Sequence, residues 1–268
     1  MNPSSEKVAL EFFEMGSEQR LSIILHLNEK PWTISLLAKE LDATVTEVHR
    51  NFMRLRKAGF VAKDSEGIYL LTTLGKHICT QIPTHSFILE NKNYFQNHNF
   101  DGLPQKFVRR LGDLSNSKLI KGYVKVSETW KKIYSNAEEY IKNILVEVTY
   151  SSDIMEILYN KLKKNVSAHS IFSDTAVIPE ERKISLAKYN FKKYLEKDLL
   201  QRKMKKDIKV ALILNEKESG ISFSEIGKQV DISTMFCSSD PEFHEWCLDY
   251  FQYCWEGASS FQENKLKE

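Results

Sequence analysis

Apolar residues recur at helical spacing through the first third of the chain. Leu21, Ile24, Leu25 and Leu27 form one stripe, with Ser17 placed as its N-cap. Glu29-Lys30-Pro31 ends that helix, because proline disfavours helical geometry in the residue before it. Thr33 caps a second predicted helix with Leu36, Leu37 and Leu41 facing inward, and Asp42-Ala43 makes a tight turn. A third helix, over about residues 44–58, starts at Thr44 or Thr46. At about 100° per residue, Val45, Val48, Phe52 and Leu55 fall on one face, and Thr46, Arg50, Met53, Arg54 and Lys57 fall opposite. The first set is predicted core; the second is free to meet a ligand.

Gly59 follows as a C-terminal glycine, since a residue without Cβ leaves a helix at little steric cost. Phe60-Val61-Ala62 and Ile68-Tyr69-Leu70-Leu71 are short β-prone runs around the polar turn Lys63-Asp64-Ser65-Glu66-Gly67, which predicts a hairpin. Residues 33–75 therefore read as a winged helix-turn-helix whose longer helix is the candidate DNA reader.

The pattern stays mostly helical over 73–100, with Pro83 expected to break or start a helix, and a further helical piece covers 104–114. Ser115-Asn116-Ser117 is the expected domain boundary. Beyond it, strands are predicted at 119–126, 144–148, 167–172 and 208–214, with helices at about 127–143, 152–164 and 179–204. Such alternation indicates an α/β layer with a largely parallel sheet. Short strands at 221–223, 229–232 and 235–237 follow, then a last helix to residue 257 burying Phe243, Trp246, Cys247, Tyr250, Phe251 and Cys254. The expected fold class is α+β: a winged helix-turn-helix over 1–83, a helical connector and dimerisation segment over 84–116, an α/β effector or interaction domain with a mixed sheet over 117–258, and a polar tail over 259–268.

At 268 residues the length suits two domains, and 42% hydrophobic with 28% charged residues excludes wholesale disorder. The N-terminal MNPSSEKV lacks the blocks of a secretory signal and no window has the roughly 18 apolar residues of a membrane span, so a soluble cytoplasmic protein with no membrane partner is expected. The four cysteines, Cys79, Cys237, Cys247 and Cys254, contain no C-x-x-C pair and read as reduced thiols. His244, Cys247 and Cys254 share a helical face, but cysteines two turns apart are roughly 10 Å from each other, so buried packing rather than a metal or redox centre is expected. No phosphate-binding glycine loop is present, and no cofactor is predicted. Arg202-Lys203-Met204-Lys205-Lys206 reads as a solvated helix end.

Charge changes the picture only locally. The net charge is +2, and residues 1–83 hold ten basic and ten acidic residues. Between Thr44 and Lys63, however, Arg50, Arg54, Arg56, Lys57 and Lys63 face only Glu47. The candidate DNA-binding set is Thr44, Thr46, Glu47, Arg50, Asn51, Arg54, Lys57 and Lys63. Lysine and arginine would supply salt-sensitive phosphate contacts, and Arg50 with Asn51 or Thr46 base contacts in the major groove. Double-stranded DNA and a second copy of the chain are the expected partners, since one winged helix reads only a few base pairs. The neutral domain and the acidic wing tip Asp64-Ser65-Glu66 favour a second reading, an adaptor that contacts transcription machinery without reading sequence.

LAKEL (37–41), VHRNFMRLRKAGFV (48–61) and YLLTTLGK (69–76) resemble archaeal winged-helix regulators with an arsenical-resistance-repressor-like DNA-binding domain. FDGLPQKFVRRLGDL (100–114) and EFHEWCLDYFQYCWEGA (242–258) resemble, more narrowly, the methanogenesis regulatory protein family. The resemblance implies transcriptional regulation and no particular ligand; separately, an unidentified small-molecule or protein effector of the C-terminal domain is expected. That domain is also similar to the sensor domains of archaeal sugar-responsive regulators, which are similar to half of a phospholipase-D-type fold. Catalysis in that superfamily needs an H-x-K pair, and none of the seven histidines here has lysine two positions later. A chain that is not an enzyme is the resulting expectation.

Overall fold

The computed structural model describes residues 4–146, 152–174, 176 and 188–262. The chain divides into two compact units, Met1–Pro83 and Thr84–Glu268.

The first unit comprises α1 (Ser5–Met15), α2 (Glu18–Glu29), α3 (Ile34–Glu40), α4 (Val45–Lys57), the hairpin strands β1 (Val61–Lys63) and β2 (Tyr69–Leu71), and the first part of α5 (Thr73–Glu90). Ile23, Ile24, Leu37, Val48, Phe52, Leu55 and Phe60 are fully buried at its centre. The turn between α3 and α4 is closed by the Ala43 N–H donating to the Ala38 carbonyl at 2.9 Å, with Asp42 at φ +49°. Thr44 then starts α4 with a reciprocal capping box: its hydroxyl accepts from the Glu47 N–H and the Glu47 carboxylate accepts from the Thr44 N–H. Gly59 leaves α4 at φ +82°, where a side chain would be strained. Inside the hairpin turn, one oxygen of Asp64 accepts from the Glu66 and Ile68 N–H groups at 2.9 and 2.8 Å.

Two features of this unit depart from the pattern-based reading. Val45 is 53% exposed, because as the first residue of α4 it precedes the turns that pack against α2 and α3. Pro83 neither starts nor ends a helix. It removes one ladder bond, but Ile78 and Ile82 before it pack on the first core and Phe87 after it is buried in the second, so α5 stays continuous.

The second unit is built on a mixed sheet. Its strands are β3 (His98–Asn99), β4 (Lys118–Lys121), β5 (Tyr140–Leu145), β6 (Ser167–Ser173), β7 (Leu200–Lys205), β8 (Val210–Leu214), β9 (Ser219–Glu225), β10 (Thr234–Ser238) and β11 (Ser259–Ser260). The order is β11-β7-β6-β5-β8-β9-β10-β4, with β3 on β9. Only β5-β6 and β6-β7 are parallel. The remaining pairs are antiparallel. Two-residue periodicity splits the strands between two cores. Leu212, Leu214 and Phe236 face the helix Pro241–Glu256, whose Trp246 is fully buried, while Ile213 and Met235 face the helices Tyr123–Asn136 and Ser152–Lys163.

Several expected boundaries move. Residues 84–116 do not stand apart as a connector: Phe87, Tyr94, Leu103, Phe107, Leu111 and Leu114 are part of the second unit's core. The first strand ends at Lys121, since Gly122 at φ +103° turns the chain into the helix that follows. Of the helix expected over 179–204, residues 179–187 lie outside the described residues, as do 147–151, and Leu200–Lys205 is a strand. Pairing with β6 and β11 outweighs the local helical preference there and places Arg202 to Lys205 in the sheet, not at a solvated helix end. No helix among the described residues is long and apolar enough to cross a membrane.

A Cβ on Gly75 would sit 2.2 Å from the Phe60 carbonyl oxygen, a backbone atom that also accepts from the Thr72 N–H. Gly75→Ala is expected to destabilise the first unit by about 1–3 kcal/mol, the range of overpacked core sites. Denaturant unfolding of the full chain followed by circular dichroism checks this.

Candidate nucleic-acid interface

α4 buries Val48, Phe52 and Leu55 and presents Thr46, His49, Arg50, Met53, Arg56 and Lys57 outward. His49, Arg50, Met53, Arg54, Arg56 and Lys57 line a shallow, open depression along the helix. Among the described residues no carboxylate forms an ion pair with Arg50, Arg56, Lys57 or Lys63. Lys63 is exposed on β1, its ammonium 5.6 Å from the Tyr69 ring centroid.

The other predicted contact residues are engaged inside the unit. Asn51 is 5% exposed and its amide donates to the Gln19 side chain, so it does not reach a base. Its position on the helix explains this: it is adjacent to Phe52 and one turn from Val48 and Leu55, at the edge of the buried stripe. Arg54 donates through Nε and Nη2 to the two oxygens of Glu14 at 2.9 and 2.8 Å. The buried Arg20 holds the same carboxylate at 3.2 Å and donates to the Phe13 carbonyl at 3.0 Å. Thr44 and Glu47 are occupied by the capping box, in which the Thr44 hydroxyl also donates to Glu47 at 2.7 Å. That contact holds the Glu47 carboxyl below its ordinary range. Spacing alone missed His49, although positions 46, 49, 50, 53, 56 and 57 form one helical face.

The thiols and histidine of the last helix show no reactive arrangement. Burial pushes the Cys247 and Cys254 thiols up, and takes Cys237 to about 11. His244 Nε2 lies 2.7 Å from the Asn215 carbonyl and 3.2 Å from the Tyr140 hydroxyl.

No protein-family model matches the sequence, and no curated protein does. Solved structures do. TrmBL2, an archaeal chromatin protein described with a novel mode of DNA binding, is similar at 13% identity over 86% of this chain and 88% of its own, with a TM-score of 0.39. A phospholipase D family member, Nuc from Salmonella typhimurium, aligns at 10% identity over 55% of this chain and 98% of its own, TM-score 0.39. NucT from Helicobacter pylori aligns at 13% identity over 54% and 98%, TM-score 0.41. The expectation that the chain is not an enzyme is corrected on this finding: with a phospholipase D family member among the similar structures, that exclusion is withdrawn.

The Arg54 hydrogen bond is the largest influence holding Glu14 below its ordinary value of 4.5, opposed by desolvation and aided by the charges of Arg54, Arg20 and Lys57. A carboxyl depressed in the folded state contributes stability that is present above 4.5 and is lost as pH falls through the folded-state value. Unfolding midpoints measured from neutral pH downward should therefore fall more steeply below 4.5 in the wild type than in Glu14→Gln. Parallel curves for the two proteins would remove this role for Glu14.

Proposed function

We propose that the chain is a sequence-specific DNA-binding transcriptional regulator that works as a homodimer, with α4 in the major groove. The observation that carries this is the division of α4. One face is consumed by the core, and the other presents Thr46, His49, Arg50, Arg56 and Lys57 to solvent with no carboxylate pairing its arginines or lysine among the described residues. A helix that keeps arginine and lysine unpaired on one face, next to short polar groups, matches the demands of the groove: phosphate neutralisation at the edges and hydrogen bonding at the centre. Arg50 is the base reader in this scheme, Thr46 its short neighbour, and Arg56, Lys57 and Lys63 contact phosphates. Exposed Leu10, Phe12 and Phe13 on α1 offer apolar surface that a second copy would cover.

The second unit in this reading senses an effector or holds the assembly.

Selection of bound fragments from random DNA by the purified chain is expected to yield one recurring site. Arg50→Ala should weaken that site by about 1–3 kcal/mol and relax preference at one base position. Lys57→Ala should weaken all sequences evenly and lower the salt dependence by about one counterion. Equal binding of Arg50→Ala and wild type, or no recurring site, would defeat the proposal; a monomer mass in solution would defeat its dimeric part.

A further inference from the structure

The second unit holds a cluster of ligating groups that the DNA-binding reading does not use. β3 and β9 pair antiparallel with His98 directly opposite Glu225, so the two side chains leave the ladder side by side. The chain then reverses tightly. Glu225 N–H donates to the Gln229 carbonyl, Lys228 N–H to the Glu225 carbonyl, both at 3.1 Å, and Gly227 takes φ +72°. Asp231 N–H closes on the Phe223 carbonyl at 3.0 Å and returns a second carboxylate to His98. One ligand atom from each of His98, Glu225 and Asp231 lies within 4.8 Å of the others.

The histidine is held in the orientation a metal ligand needs. The Tyr94 ring stacks on it at 3.8 Å between centroids, and His98 Nδ1 lies 2.9 Å from the Tyr94 carbonyl. A carbonyl only accepts, so Nδ1 carries hydrogen and Nε2 is the nitrogen that faces the carboxylates, 3.0 Å from Asp231 Oδ2. A ring N–H fixed on a backbone carbonyl is the outer-shell contact that aims the opposite nitrogen at a metal. Asp231 is oriented in the same way: it accepts from the Ser233 N–H and hydroxyl at 2.8 and 2.6 Å, and from the Thr234 hydroxyl at 2.7 Å.

We propose that His98, Glu225 and Asp231 bind one divalent transition-metal ion of the zinc type. Ligand bonds of about 2.0–2.1 Å in a tetrahedron place neighbouring ligand atoms about 3.3 Å apart. The His98–Asp231 separation already meets this. Glu225 must close by about 1.5 Å, which a side chain 32% exposed and ion-paired to Lys228 permits. Three protein ligands leave a fourth position for water or another ligand. One imidazole with two carboxylates selects zinc or a neighbouring transition metal over magnesium and calcium, whose sites are all oxygen. The ion would tie the loop after β9 to β3.

The test uses the full chain stripped with chelator and then dialysed. Titration with zinc chloride should show saturable uptake of one equivalent with a raised unfolding midpoint, and cobalt chloride should give visible absorption of a tetrahedral site. Magnesium chloride should give neither. Glu225→Gln and His98→Gln should each weaken zinc binding by at least about tenfold. Among the described residues Glu225 pairs with Lys228 on the exposed side of the loop, so Glu225→Gln is expected to keep the fold and the test even if His98→Gln does not. Absence of saturable uptake at millimolar zinc, or uptake unchanged in Glu225→Gln, overturns the site. Neither readout involves DNA, so it stands or falls apart from the regulatory reading.

Discussion

The carboxylate of Glu14 determines what α4 has left to offer. It receives Nε and Nη2 of Arg54 and Nε of Arg20, and so fastens α1, whose own side chains are not buried, to α4. A bidentate arginine–carboxylate pair is directional as well as charged, so it fixes the rotation of both partners. With Asn51 buried and the Arg54 guanidinium paired to Glu14, α4 leaves Thr46, His49, Arg50, Met53, Arg56 and Lys57 toward solvent, unpaired among the described residues. The candidate surface is thus the residue of an internal contact as much as a pattern in its own right.

A comparable constraint organises the second unit. A sheet with helices on both faces needs strands apolar on both sides, and Val210 to Leu214 is buried at every position. The turn that follows is fixed by one side chain. Asn215 accepts from the N–H groups of Lys217 and Glu218 and donates to the Ile133 carbonyl, joining the β8–β9 connection to the helix above it. The last helix closes the other face, with the Trp246 indole N–H donating to the Phe107 carbonyl. That bond explains why residues 84–116 belong to this core: the segment supplies both packing surface and a hydrogen-bond acceptor to the helix that ends the domain.

Elements whose signals are local were legible from sequence. The start of α4 at one of Thr44 or Thr46, the Gly59 exit, the hairpin around Asp64 and the buried face of the last helix each depend on residues within a few positions of one another; the structure picks Thr44 through its capping box. What misled was settled by distant partners. Asn51 is removed from the surface by Gln19 and Arg54 is claimed by Glu14, neither of which helical spacing within α4 reveals. Leu200 to Lys205 became a strand through β6 and β11. The His98 cluster was invisible for the same reason, since Asp231 reaches His98 across 133 positions of sequence.

The acidic residues that make the first unit neutral weigh less against a nucleic-acid surface than their number implies. Glu14 is shared by two arginines, Glu47 is turned back onto the first turn of its own helix, and an oxygen of Asp64 is filled by backbone N–H groups of the wing turn. Their charges persist, but each is directed at a fixed internal partner within a few ångströms, and such fields fall off over about 8 Å at physiological salt. Pairing costs the outer face the charge of Arg54 alone; Arg50, Arg56 and Lys57 keep theirs. If the proposed DNA-binding role holds, discrimination by such a face would rest on the geometry of a few side chains with a modest electrostatic contribution, the regime in which losing one arginine changes which sequence is bound and not only how tightly.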